Sequence, residues 1–95
     1  MADSTAVIRL QSKFDFSWFS RFKELYEPLL ADSAVREIAV NFADVNYIDS
    51  SALGMLMLLK ERADAAGKRV RLVQCQGYAK ELLTVANFQS KFTME

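Results

Sequence analysis

The 95-residue chain contains no histidine, one cysteine and one proline, and these absences exclude several classes of function. Without histidine, no serine can be activated by the histidine base of a hydrolase triad. The single cysteine, Cys75, cannot form an internal disulfide, and its apolar neighbours favour a buried side chain over a reactive thiol. Clustered metal ligands are also absent, so we expect no catalytic site, no metal and no cofactor.

The chain also lacks net charge and long apolar runs. Twelve basic and twelve acidic residues cancel, so no general field attracts nucleic acid or an anionic membrane surface. No apolar run approaches the roughly 20 residues that span a bilayer, and the first ten residues lack the basic and apolar regions of a secretory signal. We expect a cytoplasmic protein that binds neither nucleic acid nor membrane.

The composition is that of one small globular domain. Apolar residues make up 52% of the chain and charged residues 25%, which is a usual balance for a globular protein. A chain of this size forms a single core, and no linker or repeat divides it. We therefore expect one domain over residues 1–95.

Segments typical of strands and of helices alternate along the chain, which predicts an α/β domain. Four segments are rich in β-branched and apolar residues and predict strands, namely 5–12, 37–42, 68–75 and 90–94. Three segments have helical periodicity, namely 17–27, 50–65 and 78–86. The expected fold is a mixed, largely parallel sheet of about four strands flanked by about three helices.

The first helix is predicted from large apolar residues that share one face, which we assign to the core. They are Trp18, Phe19, Phe22, Leu25, Tyr26 and Leu29. Ser17 is the expected N-cap. Because proline lacks an amide hydrogen, Pro28 is expected to end or distort this helix near Glu27. Residues 43–47, after the second strand, are expected to form a loop.

The second helix begins in the stretch "NYIDSSALGMLMLL", residues 46–59. Asp49 is the expected N-cap, with Ile48 and Leu53 at the two positions of a hydrophobic staple. Ser50 and Ser51 are then the first two helical residues. Nothing in the chain activates either serine as a nucleophile, and "YIDSSALG" is not the G-x-S-x-G motif of hydrolases. On the pattern alone, both serines are equally well explained as favourable residues for a helix start.

The two faces of this helix differ in composition. One stripe, which we assign to the sheet, is wholly apolar and consists of Ala52, Leu56, Leu59 and Ala63. On the other face Gly54, Met57 and Leu58 accompany charged residues. These three residues are either scattered surface apolar residues or a partner-binding surface, and the adaptability of methionine favours the second interpretation.

This stretch resembles the signature of STAS domains, particularly the bacterial anti-sigma-factor antagonists. The resemblance extends to "IRLQSKFD", which ends in Asp15, and to "LLTVANFQSKFTM", and so covers nearly the whole chain. It departs from the family pattern where Ala52 and Ser12 replace glycines, and the extra C-terminal helix of longer members is missing.

The resemblance implies a switch controlled by phosphorylation of Ser50, with Asp15, Asp49 and Ser51 framing the site. The unphosphorylated form would bind an anti-sigma factor, or a serine kinase of the histidine-kinase-like ATPase fold, and phosphorylation would release that partner. A PP2C-type phosphatase would restore binding.

Two other functions remain open. The chain could be a STAS subunit that docks, without being switched, on the ATPase of a lipid-transporting ABC complex. It could also be an enzyme or nucleotide binder, although "AGKR" lacks the spacing and hydroxyl of a P-loop, and Asp44 with Asp49 is too small a set for a metal site.

Overall fold

The computed structural model describes residues 4–95 as alternating strands and helices. The strands are β1 (Thr5–Phe14), β2 (Glu37–Ile48), β3 (Arg69–Val73) and β4 (Thr93–Met94). The helices are α1 (Phe19–Ala31), α2 (Ser50–Ala65) and α3 (Gly77–Val85), with short 3-10 turns at Phe16–Trp18 and Phe88–Ser90. The predicted α/β domain with four strands and three helices is confirmed.

The four strands form one sheet in the order β1-β2-β3-β4, and each described pair of neighbours is parallel. Parallel neighbours need a crossover connection, and each helix provides one. β2 is the longest strand and pairs with β1 over its length, whereas β3 covers only its first half. The second half of β2 therefore extends beyond β3 towards the start of α2.

The extension of β2 corrects the prediction of a loop at residues 43–47. The segment stays in the sheet because Val45 and Ile48 are buried and remain in register with β1. Two register irregularities interrupt the pairing, and they let exposed polar residues, Asp44 and Asn46, interrupt the apolar pattern. β1 likewise continues to Phe14, beyond the predicted end at residue 12, because Phe14 is buried and pairs with Ile48 of β2.

The structure also corrects the start, the end and the buried face of α1. The helix begins at Phe19, after a 3-10 turn capped by Asp15 rather than Ser17. It continues through Pro28 to Ala31, although the proline cannot donate to the carbonyl oxygen of Glu24 and its ring crowds that group. Among the residues assigned to its core face, only Phe22 and Tyr26 are fully buried.

Helix α2 has the predicted bounds, and its four-residue apolar stripe is buried as predicted. Met55 is buried as well. Gly67 provides the left-handed turn after the C-terminus of α2, at a φ of 72°. None of the helices within residues 4–95 is long and apolar enough to cross a bilayer.

The core is centred on aromatic rings where β1 meets α1. The ring of Phe14 packs edge-on against Phe22 at 5.0 Å and against Phe42 at 6.3 Å between centroids. Phe22 in turn contacts Tyr26 at 5.3 Å. Edge-to-face pairs of this kind add a specific geometry to apolar burial. They pack the end of β1 against the first half of α1.

Lys68 is the one buried charged residue among those described, at 8% exposure. Its Nζ donates to the carbonyl oxygen of Asp32 at 2.8 Å and to the carbonyl oxygen of Val35. The side chain thus ties the turn before β3 to the loop after α1. Both carbonyl groups would lose a charged donor without it.

We expect Lys68→Met to lower the free energy of unfolding by about 1–3 kcal/mol, because methionine has similar length but donates no hydrogen bond. Lys60→Met is the matched control, since Lys60 pairs with Asp64 in an i,i+4 ion pair on α2 and such pairs contribute less than about 1 kcal/mol. Urea denaturation of both variants measures the difference. Equal losses would show that the buried contacts contribute nothing beyond an ordinary ion pair.

Candidate functional site

The candidate site lies where β1 and β2 end side by side. Phe14 and Ile48, the last residues of the two strands, are register partners and both are fully buried. The next residue on each chain is an aspartate, Asp15 or Asp49. Each aspartate has an extended backbone and caps the helical turn that follows it. The structure therefore brings together the two aspartates that were predicted to frame the site.

Asp49 caps α2 as predicted. Its Oδ1 accepts a hydrogen bond from the amide of Ala52 at 3.1 Å. Ser50 and Ser51 follow as the first two residues of the helix; Ser50 is exposed and Ser51 half-buried. The Ser50 hydroxyl makes no hydrogen bond to any residue from 4 to 95.

Asp15 performs the equivalent role at the turn before α1. Its carboxylate accepts hydrogen bonds from the hydroxyl and from the amide of Ser17. Both bonds lower the pKa of Asp15, and the bond from the Ser17 hydroxyl has the larger effect. The carboxylate is therefore ionised at neutral pH, and the site carries fixed negative charge before any modification.

The predicted partner-binding residues of α2 lie on its outer side with different exposure. Gly54 is exposed, and a Cβ at this position would meet no atom within 4 Å. Leu58 is 38% exposed. Met57 is only half-buried and packs partly against the core, so it offers less contact area than its position on the helix suggested.

Four exposed aromatic residues near the strand ends were missed by the sequence analysis. Phe16 and Phe19, 66% and 40% exposed, stack at 5.7 Å between centroids. Tyr47 and Tyr78, 43% and 51% exposed, stack at 6.1 Å. The prediction placed Phe19 in the core because its spacing fits an uninterrupted helix from Ser17. The dense aromatic content of "FDFSWF" was the only available signal.

The described residues offer little for metal or thiol chemistry. Within residues 4–95, no three acidic, cysteine or histidine side chains are grouped closely enough to hold a metal ion. Burial raises the pKa of the Cys75 thiol to about 11, so the thiol stays protonated near neutral pH and is a poor nucleophile.

Comparison with known proteins identifies the family. The STAS domain family model matches residues 2–95. A STAS-domain containing protein of Pseudomonas aeruginosa strain UCBPP-PA14, PA14_20770, is 33% identical over 85 residues, which are 90% of this chain and 82% of that protein. The relative is therefore similar over most of both chains.

Three solved structures share the fold of this chain. The anti-sigma factor antagonist SpoIIAA of Bacillus, solved in its unphosphorylated form, superposes with a TM-score of 0.75 and 22% identity, over all of this chain and 82% of that one. SpoIIAA has also been solved in a phosphorylated form. A sulfate transporter family protein of Wolinella succinogenes gives a TM-score of 0.80 at 15% identity, over 93% of this chain and 70% of that one. At these identities the likeness shows the fold alone.

We expect Asp49→Ala to lower the free energy of unfolding by about 1 kcal/mol, because the amide of Ala52 loses its side-chain acceptor. Asp49→Asn should retain most of the stability, since its side-chain oxygen can accept the same bond. Urea denaturation separates the two variants. If alanine and asparagine destabilise equally, the capping bond does not stabilise α2.

Proposed function

This chain belongs to the STAS domain family, and on that premise we propose that it is an anti-sigma-factor antagonist that acts as a phosphorylation-controlled protein-binding switch. In the unphosphorylated state it binds an anti-sigma factor or a related regulator. Phosphorylation of Ser50 releases that partner. The proposed function is binding rather than catalysis, and the proposed location is the cytoplasm.

The observation that carries this proposal is the setting of Ser50. Its hydroxyl is exposed and unbonded at the first position of a 16-residue helix that Asp49 caps. A phosphate at a helix N-terminus is stabilised by the helix dipole and the free amides, so the fold tolerates it. The modification can therefore change the surface without unfolding the domain.

The proposed loss of binding has an electrostatic cause. Phosphorylation adds about 1.5 to 2 negative charges at neutral pH. The added charge lies beside Asp49 and near the ionised Asp15, and a docking partner would have to desolvate all of them. A loss of about 3 kcal/mol weakens binding by roughly a hundredfold, which is sufficient for a switch.

The likeness to SpoIIAA supports the proposal because that antagonist shares the fold and exists in both phosphorylation states.

The proposed partners are an anti-sigma factor or a serine kinase of the histidine-kinase-like ATPase fold, which would bind the outer side of α2 at Gly54, Met57 and Leu58. A PP2C-type phosphatase would reverse the modification. Ser51 and Asp15 would complete the frame of the phosphorylation site.

We expect Ser50→Ala to retain the partner and Ser50→Asp to lose it, with melting temperatures within a few degrees of each other. The two proteins are used as baits in native cytoplasm, and the captured proteins are identified by mass spectrometry. Thr84→Asp, which adds the same charge at an exposed position of α3, is the control and should bind as the parent does. If both Ser50 variants capture the same transporter ATPase equally, Ser50 is only a helix-start residue and the domain is a constitutive transport subunit.

A second pair of substitutions tests the outer side of α2 directly. Gly54→Ala should raise the free energy of unfolding by about 0.5–1 kcal/mol, because alanine favours the helix interior and its methyl group meets no neighbour. Gly54→Arg should also fold but should weaken binding of the captured regulator, because a long side chain prevents close approach. Unchanged affinity of Gly54→Arg in a calorimetric titration would exclude this part of α2 from the interface.

A further inference from the structure

We propose that the partner's footprint extends from α2 onto two exposed, stacked aromatic pairs, Phe16–Phe19 and Tyr47–Tyr78, which we call the aromatic rim. The occupant we assign to the rim is the folded protein partner that Ser50 controls. This inference rests on the proposed function and adds to it the residues that anchor the partner.

The exposure of the rim is the first argument. Its four rings supply half of the eight large apolar side chains that are most exposed within residues 4–95. Each ring is stacked on one neighbour, with interplanar angles of 24° and 12° in the two pairs, and each residue remains at least 40% exposed. Aromatic residues dominate the energetics of protein interfaces because they bury a large rigid area. A paired, exposed set is therefore suited to an apolar socket on another protein.

The position of the rim is the second argument. Phe16 directly follows Asp15, at the end of β1, and Tyr47 lies three residues before Ser50, at the end of β2. Tyr78 is the second residue of α3 and reaches Tyr47 from there. Both pairs thus belong to the same strand ends as the proposed phosphorylation site. A partner seated on the rim therefore lies at the same end of the sheet as the charge that is added at Ser50.

Hydrogen bonds hold both pairs in place. The bonds from Ser17 to Asp15 fix the turn that displays Phe16. On the other pair, Gln76 Nε2 donates to the carbonyl oxygen of Ala43 at 3.0 Å and attaches the start of α3 to β2. A surface that is already ordered loses little entropy on binding, so its contacts contribute more to affinity.

The charges at the strand ends indicate which class of molecule binds. Asp15 and Asp49 each use Oδ1 to cap a turn, and neither Oδ2 makes a hydrogen bond to residues 4–95. Lys13 is the cation that acts on Asp15, and Arg21 lines the same cavity as both, so two cations and two carboxylates leave these strand ends with no excess of positive charge. This balance disfavours phosphate-rich surfaces such as nucleic acid and anionic lipid. A protein with apolar sockets is the occupant that fits both the rings and the charge.

The test is a calorimetric titration of the regulator captured by the Ser50→Ala bait, after its identification and purification. Phe16→Ala and Tyr78→Ala, each in the Ser50→Ala background, should weaken binding about tenfold or more. The controls are Leu25→Ala and Val85→Ala, which remove apolar groups that are 42% and 84% exposed outside the rim, and they should change affinity less than about threefold. Melting temperatures confirm that all four variants fold, and Tyr78→Phe should bind as the parent does.

The outcomes separate this inference from the proposed function. If the rim variants bind like the controls while Ser50→Asp abolishes binding, the switch stands and the rim is not part of the interface. If the rim variants weaken binding while Ser50→Asp does not, the rim stands and the switch is wrong. Sedimentation of the free protein gives a further check, because a dimer that Phe16→Ala dissociates would assign the rim to a second copy and overturn the inference. Failure of the Ser50→Ala bait to capture any protein would contradict both proposals.

Discussion

The site depends on the burial of two side chains at the ends of neighbouring parallel strands, Phe14 on β1 and Ile48 on β2. Both are fully buried and they are partners in register. Because side chains alternate along a strand, a shift of one residue would expose the apolar set, so burial determines the register. The register in turn places Asp15 and Asp49 next to each other where the strands leave the sheet. The proposed switch therefore results from packing beneath it.

The two aspartates connect fold stability with the proposed regulation. Each carboxylate caps a helical turn, so both are needed for local structure before any partner is present. The same carboxylates give the surface a negative charge that a phosphate on Ser50 would increase. A helix N-terminus stabilises such a phosphate within the domain, whereas an interface has to desolvate it. This difference explains how one modification could change binding and leave the fold intact.

The sequence was most informative where local signals agree and least informative where tertiary contacts decide. Helix α2 could be predicted to the residue because an N-cap, an apolar stripe and a terminal glycine all indicate the same bounds. The end of β2 could not be predicted, because the polar residues at positions 44 and 46 are typical of a loop. Only pairing with β1 keeps this segment in the sheet. The exposure of Phe16 and Phe19 could not be predicted either, because a 3-10 turn and an α-helix have similar residue spacing over so few residues. Tyr47 and Tyr78 are 31 positions apart, and their stacking follows from how α3 packs on β2.

The central claim is that the charge state of Ser50 controls binding while the domain stays folded. The most direct measurement uses wild-type protein carrying authentic phosphoserine at position 50, titrated calorimetrically against the regulator captured by the unphosphorylatable form. The account predicts an affinity about a hundredfold lower than that of the unmodified protein, equivalent to roughly 3 kcal/mol, with an unchanged melting temperature. Equal affinities of the two forms, or a loss of binding that accompanies unfolding, would contradict it.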